Sequence, residues 1–320
     1  MIYIGCIAHT ATGGTELLHQ LASTIIGLGV EAKIFYVGSS HRKDPVAERF
    51  KKYKAPYTFE IKNLRQDDLL IVPEVMTQFL YNWRTPVPCK KIIWWLSVDN
   101  YYTSVSHFKK TLKYYLGYRV FDFKEDFYHL AQSEYAANFL RKKGIAKLSY
   151  LSDYLGDDFL EAPSIDLSTK KDIIAYNPKK GKEITDEFIK KAGSNLEFVA
   201  LENMTPIEVK KTLLKAKVYI DFGTHPGKDR IPREAAMCGC CIITNRAGSA
   251  AFKEDVPIPE EYKFSSPRSS FDAITLLIEK CFRNFSCEHQ KFDSYRESIK
   301  KEKNLFQSEV LHLLKTLRKL

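Results

Sequence analysis

The strongest constraint in this 320-residue chain is a rhythm: strand-length apolar runs alternate with helix-length amphipathic stretches, once through the first half and again through the second. A parallel sheet demands this alternation, because parallel neighbours cannot be joined by a tight turn and both sheet faces need a cover. In the first half the expected strands are MIYIGCIA (1–8), EAKIFYVG (31–38), DLLIVPE (68–74), KKIIWWLSV (90–98) and YHLAQS (128–133). Leu17, Leu18, Leu21, Ile25 and Leu28 share one stripe of a helix expected from about Gly14 to Leu28. A second helix follows Ser133 and stops at Gly144. Around 152–170 the rhythm lapses into a polar stretch, then resumes with KDIIAYN (171–177), LEFVALE (196–202), KVYIDFG (217–223) and CCIITN (240–245), separated by helices over 182–192, 205–215 and 230–239. The expected organisation is therefore α/β, with two Rossmann-like doubly wound domains at 1–155 and 171–291 and a linker at 156–170. A long basic amphipathic helix at 292–320 follows. Sheets of this kind bind ligands at the carboxyl ends of their strands, so a cleft ligand between the two is expected.

Composition narrows the class. Apolar residues make up 44% and charged residues 28%, a globular balance that excludes disorder and fibrous repeats. No apolar run approaches the ~20 residues that span a bilayer. The opening MIYIGCIAHT lacks a basic n-region and reads as a strand, so a cytoplasmic location is expected. The seven cysteines are odd in number and lack paired zinc-ligand spacing, which points to reduced core thiols and no metal site. The formal charge of +10 asks for acidic partners, but the cations are spread and the aromatics sit in strand patterns, so nucleic acid is not among the expected ones.

Four loops carry candidate chemistry. AHTATGGTE (8–16) sets Gly13 and Gly14 at a strand-to-helix turn, where glycines permit positive φ and a helix N-terminus favours a phosphate. The other reading of that loop is a tight turn with Thr12 or Thr15 as the N-cap. It lacks G-x-G-x-x-G spacing, and the second strand ends in Val37 and Gly38 without an acidic residue, which disfavours a nicotinamide enzyme. DFGTHPGKDRIPREAAMCGC (221–240) gathers His225, Gly227, Lys228, Arg230 and Arg233 around a glycine turn, with Glu234 at the start of a helix. Cations beside glycines suit a diphosphate, and a carboxylate one turn into the helix suits the two hydroxyls of a ribose. YNPKKGKE (176–183) offers Asn177, Lys179 and Lys180 at another strand end that should face the same crevice. In the first domain, Glu74 ends the third strand and Asp99 follows the fourth; either suits a general base, and Asp99 equally suits a cap.

These motifs resemble the family-four (group 1) nucleotide-sugar-dependent glycosyltransferases of GT-B fold. GGTELLHQLASTIIGLGVEAKIFYVG resembles their opening helix and second strand, HLAQSEYAANFLRKKGI their last N-domain strand and helix, and PREAAMCGCCIITNRAGSAAF their donor-site helix and following strand. The match runs in order from Met1 to about Phe252, and the final helix fits the one that packs back across the domains in that fold. The resemblance implies that Gly13 and Gly14 lie beside the donor diphosphate or sugar, and that Glu234 is the second glutamate of an E-x7-E motif, the one that binds ribose. The first glutamate would stand at Pro226, so its sugar-facing role passes to Asp229 or to backbone near Gly227. Lys179, Lys180, Lys228 and Arg230 match the pyrophosphate cations loosely, and the N-domain histidine is absent near Leu96 and Ser97.

The implied function is metal-independent transfer of a sugar from a nucleotide-diphosphate sugar, a co-substrate in place of any cofactor, to a hydroxyl of a glycan or lipid-linked glycan in bacterial surface polysaccharide synthesis (lipopolysaccharide or capsule). No strict D-x-D occurs in the chain. With retention of configuration, the reading favoured here, the leaving phosphate takes the acceptor proton; with inversion, Asp99 or Glu74 does. A sugar-nucleotide epimerase of the same fold and a non-catalytic donor-binding subunit are the alternatives. The basic runs at 41–54, 107–115 and 141–147 would attract an anionic membrane surface, placing the protein peripherally on its inner face.

Overall fold

The computed structural model describes residues 1–38, 44–61, 64–82, 85–104, 116, 119–160 and 165–317. The basic run at 107–115 and part of the run at 41–54 lie outside the described residues. The chain divides into two compact units, Met1–Asp153 with Asn304–Leu320, and Tyr154–Lys303.

The first unit holds β1 (Ile2–Ile7), β2 (Ala32–Val37), β3 (Tyr57–Thr58), β4 (Leu69–Pro73), a small antiparallel pair β5 (Tyr81–Asn82) and β6 (Thr85–Pro86), then β7 (Lys90–Trp95), β8 (Tyr128–Ala131) and β9 (Leu148–Tyr150). Seven of them form one sheet in the order β3-β2-β1-β4-β7-β8-β9, with every pair parallel. Its register places Ile34, Ile4, Ile71 and Ile92 in one row, and all four are fully buried. The helices are α1 (Gly13–Gly27), α2 (Val98–Ser104) and α3 (Glu134–Lys142). The five expected strands are present; β3 and β9 escaped the sequence reading because strands of two and three residues carry no readable period.

The second unit contains α4 (Asp157–Leu160), β10 (Lys171–Tyr176), α5 (Lys182–Ala192), β11 (Glu197–Ala200), α6 (Pro206–Lys215), β12 (Ala216–Asp221), α7 (Arg230–Met237), β13 (Cys241–Asn245), β14 (Lys263–Phe264), α8 (Phe271–Arg283), α9 (Phe285–Gln290) and the start of α10 (Asp293–Leu317). The parallel sheet runs β11-β10-β12-β13-β14. Local chemistry sets the helix starts: α6 opens with a Thr205/Glu208 capping box and Pro206 in its first turn. Along α10, Tyr295, Ile299, Phe306, Val310 and Leu313 are buried at helical spacing. Residue 302 falls on the same stripe, and it is a glutamate.

Six of the seven cysteines are buried, whereas Cys287 is exposed, against the expectation of a uniformly core role. No helix among the described residues is long and apolar enough to cross a membrane.

Candidate functional site

Both sheets reverse their strand order beside the first strand of the unit. In the first unit the chain passes from β1 to β2 on one side and later to β4 on the other; in the second it passes from β10 to β11 and later to β12. The carboxyl ends of the two strands flanking such a reversal are where an open α/β sheet leaves room for a ligand. The four loops singled out in the sequence stand at or next to these ends.

In the first unit, the loop after β1 is organised by Thr12. Its hydroxyl accepts from the Thr15 amide at 3.3 Å, and the Thr12 amide donates to the Thr15 hydroxyl at 2.9 Å, a reciprocal N-cap. Gly13 and Gly14 are thereby the first two helical residues of α1, and neither uses the positive φ that glycine permits; the Thr12 N-cap is the reading the structure has. Left-handed backbone in this loop falls on His9 instead, at φ 55°. Glu74, 2% exposed at the end of β4, accepts from the Leu96 amide at 2.9 Å and ties β4 to the loop after β7. Burial raises its carboxyl to about 7, although backbone N–H groups of Leu96, Glu74 and Ser97 pull it down. Asp99, in the first turn of α2, accepts from the Tyr135 hydroxyl of α3 at 2.9 Å. Among the described residues of the basic runs, Arg49 and Lys52 pair with Glu16, Lys51 with Glu48, Arg141 with Glu134 and Lys147 with Asp126.

In the second unit the loop after β10 and the loop after β12 touch. Gly181, at φ 57°, lies against the Phe222 carbonyl so closely that a Cβ there would sit 2.5 Å from it, which is why a glycine must follow Lys179 and Lys180. Lys180 forms an ion pair with Asp229. Asp229 has no N-cap hydrogen bond to α7; its carboxylate instead holds Lys180 and, at 3.0 Å, His225 Nδ1. Lys179 is exposed, and its amide donates to the Asn177 side chain at 3.0 Å. Arg230 and Glu234 approach to 3.6 Å along α7.

Two expected ligand residues have other work. The side chain of His225 is 1% exposed, at φ 46°, with Asp229 at one ring nitrogen and Asp221 at the other, 3.6 Å away. Burial pulls its pKa down, but the two aspartates outweigh that and hold it above the ordinary value; Asp229 is correspondingly held below its own. With both ring nitrogens engaged, the His225 side chain braces the loop from inside and offers neither to a donor. Arg233 is fully buried: it reaches Glu302 at 2.7 Å and donates to the carbonyls of Lys228 and Asp229 at 3.1 and 3.2 Å. Its burial removes it from direct contact with a ligand.

Asp221, His225 and Asp229 have donor atoms within 4.8 Å of one another, the geometry of a candidate cation site. The two carboxylates, however, address opposite nitrogens of one ring, whereas a metal needs its donors turned toward one point. The ring instead hydrogen-bonds the Asp229 carboxylate through Nδ1 at 3.0 Å and the Asp221 backbone carbonyl through Nε2 at 3.3 Å.

Sequence reasoning assigned no role to the segment that closes this loop from above. Ser249 donates its amide to the His225 carbonyl at 2.9 Å and its hydroxyl to the Gly227 carbonyl at 2.7 Å, while Asn245 Nδ2 donates to the Gly223 carbonyl at 2.7 Å. The Asn-x-x-Gly-Ser run after β13 was the available signal. The four cations Lys180, Lys228, Arg230 and Arg233 face three carboxylates of this unit, Asp229, Glu234 and a shared Glu302, so much of the positive charge is offset and the cations are pre-ordered.

Known structures match this arrangement over its full length. A glycosyltransferase from Rickettsia africae ESF-5 is 12% identical, with 99% of this chain and 98% of that one covered at a TM-score of 0.66. HepE from Anabaena, in complex with UDP-glucose, is 10% identical over 98% and 99%, at 0.62. The apo lipopolysaccharide outer core galactosyltransferase WaaB is 14% identical over 97% of each chain, at 0.60. The chain has the GT-B fold. No family model and no curated protein matches the sequence. In this GT-B chain Glu234 stands one turn into α7, and Pro226 is half-buried between His225 and Gly227.

Proposed function

We propose that this chain is a glycosyltransferase whose second unit holds a nucleoside-diphosphate sugar. The observation that carries the reading is the meeting of the loops after β10 and β12, through Gly181 at Phe222 and Lys180 at Asp229, beside the start of α7. Lys179, Lys180, Lys228 and Arg230 with the amides of those loops suit a diphosphate, and Glu234 suits a ribose. The complex of HepE with UDP-glucose supports a UDP-sugar as donor, and the likeness to a lipopolysaccharide outer core galactosyltransferase supports a surface glycan or lipid-linked glycan as acceptor.

In the transfer, the bond between the anomeric carbon and the β-phosphate oxygen breaks and the acceptor oxygen bonds to that carbon. The negative charge that grows on the leaving diphosphate is met by cations and amides already in place. With retention, the acceptor proton passes to the diphosphate on the same face, and Asp229 and the loop amides keep the sugar positioned. With inversion it passes to Asp99 or Glu74 of the first unit. The test is release of nucleoside diphosphate from a panel of UDP-, GDP-, ADP- and dTDP-sugars, with glycan acceptors free or on anionic vesicles. Release should depend on acceptor, and Glu234→Ala and Lys228→Ala should each cut it more than tenfold with unchanged circular dichroism. Conversion of donor without acceptor would identify an epimerase, and binding without turnover a donor-binding subunit; either contradicts the proposal.

A further inference from the structure

Position 302 lies on the buried stripe of α10 between Ile299 and Phe306, where an apolar residue would be at home. The chain has a glutamate there, with its side chain 5% exposed. A buried carboxylate persists only with partners, and Glu302 has two, one for each oxygen: Lys228 Nζ at Oε1 and Arg233 Nη1 at Oε2, both at 2.7 Å. Arg233 closes the ring by donating to the Lys228 carbonyl. Lys228 is thus held twice, by its main chain through Arg233 and by its ammonium through Glu302.

We infer that Glu302 is a positioning residue for the transfer reaction, setting the Lys228 ammonium for the diphosphate that leaves. The inference rests on the donor reading above and adds to it the part played by the last helix. A lysine on a four-carbon stem has many rotamers, and a cation that must still find its place when charge develops stabilises the transition state poorly. Glu302 settles that orientation beforehand. It also subtracts charge from the site, so removing it strengthens plain electrostatic attraction for a nucleotide while loosening the one cation that must be aimed. Binding and turnover should therefore part company.

The measurements are kcat and KM for the donor, together with the Kd of UDP, in the full chain. Glu302→Gln should lower kcat tenfold or more while the Kd of UDP stays equal or tightens. Lys228→Met should lower kcat as well, and adding Glu302→Gln to it should change kcat no further, because both act through one ammonium. If Glu302→Gln unfolds near the assay temperature, Glu302→Asp asks the same question: it keeps Arg233 neutralised but is one methylene too short for both partners. A tenfold fall in its kcat supports the inference. Unchanged kcat in the folded variant overturns it, as do losses that multiply in the double variant or a kcat that falls only with the folded fraction. Wild-type protein that binds no nucleoside diphosphate would overturn the donor reading itself, and this inference with it.

Discussion

Glu74 shows how a single residue can look catalytic in sequence and prove equally a strut. It ends a strand where a general base would stand, yet its carboxylate is buried against backbone amides of the loop after β7. Its carboxyl, raised to about 7, gives it a recognisable pH signature. A group whose folded pKa exceeds its unfolded one stabilises fully below the unfolded value, here ~4.3, and loses that contribution as pH rises through the folded value. His225, also raised, works in the same direction from ~6.5 upward. Glu74→Gln is expected to come closest to the wild type in stability at pH 5 and to exceed it at pH 8, by up to about 3 kcal/mol. Parallel pH profiles for the two proteins would show that Glu74 is not buried as described. The sequence signalled the position of Glu74, His225 and Arg233 but not their burial, because burial is decided by elements far along the chain: Glu302 covers Arg233 from 69 residues away.

At the scale of elements, the donor loop is held by close backbone approaches. A Cβ on Gly248 would lie 2.0 Å from the His225 carbonyl oxygen, and one on Gly181 2.5 Å from that of Phe222. Gly144, also at positive φ, has nothing within 4 Å of such a Cβ. Gly144→Ala should therefore cost roughly 1–2 kcal/mol, the strain of the left-handed backbone alone. Gly181→Ala and Gly248→Ala should cost about 3 kcal/mol or more, since main chain must move as well. Urea denaturation of the three variants checks this, and equal costs would mean that the loop after β12 is not pinned. The strands and helices around these loops were legible because apolar periods of 2 and 3.6 survive in a single sequence. The pinning was not, because Ser249 and Asn245 act across the sheet on carbonyls that carry no side-chain signature.

For the whole molecule, two parallel sheets could be read from alternation alone, and so could the loops at the carboxyl ends of the strands, since topology puts them there whatever their side chains; the GT-B fold came from the resemblance of particular motifs. The use of the charge was less legible. The +10 asked for acidic partners, but in the second unit Lys180, Lys228, Arg230 and Arg233 already meet Asp229, Glu234 and Glu302, so recognition rests on placement as well as on net field. That makes the position of a bound nucleotide the decisive quantity. A crystal structure with UDP is expected to show the diphosphate on the loops Asn177–Gly181 and Gly227–Arg230 and the ribose hydroxyls on Glu234. UDP bound elsewhere, or a ribose that leaves Glu234 untouched, would contradict the central claim.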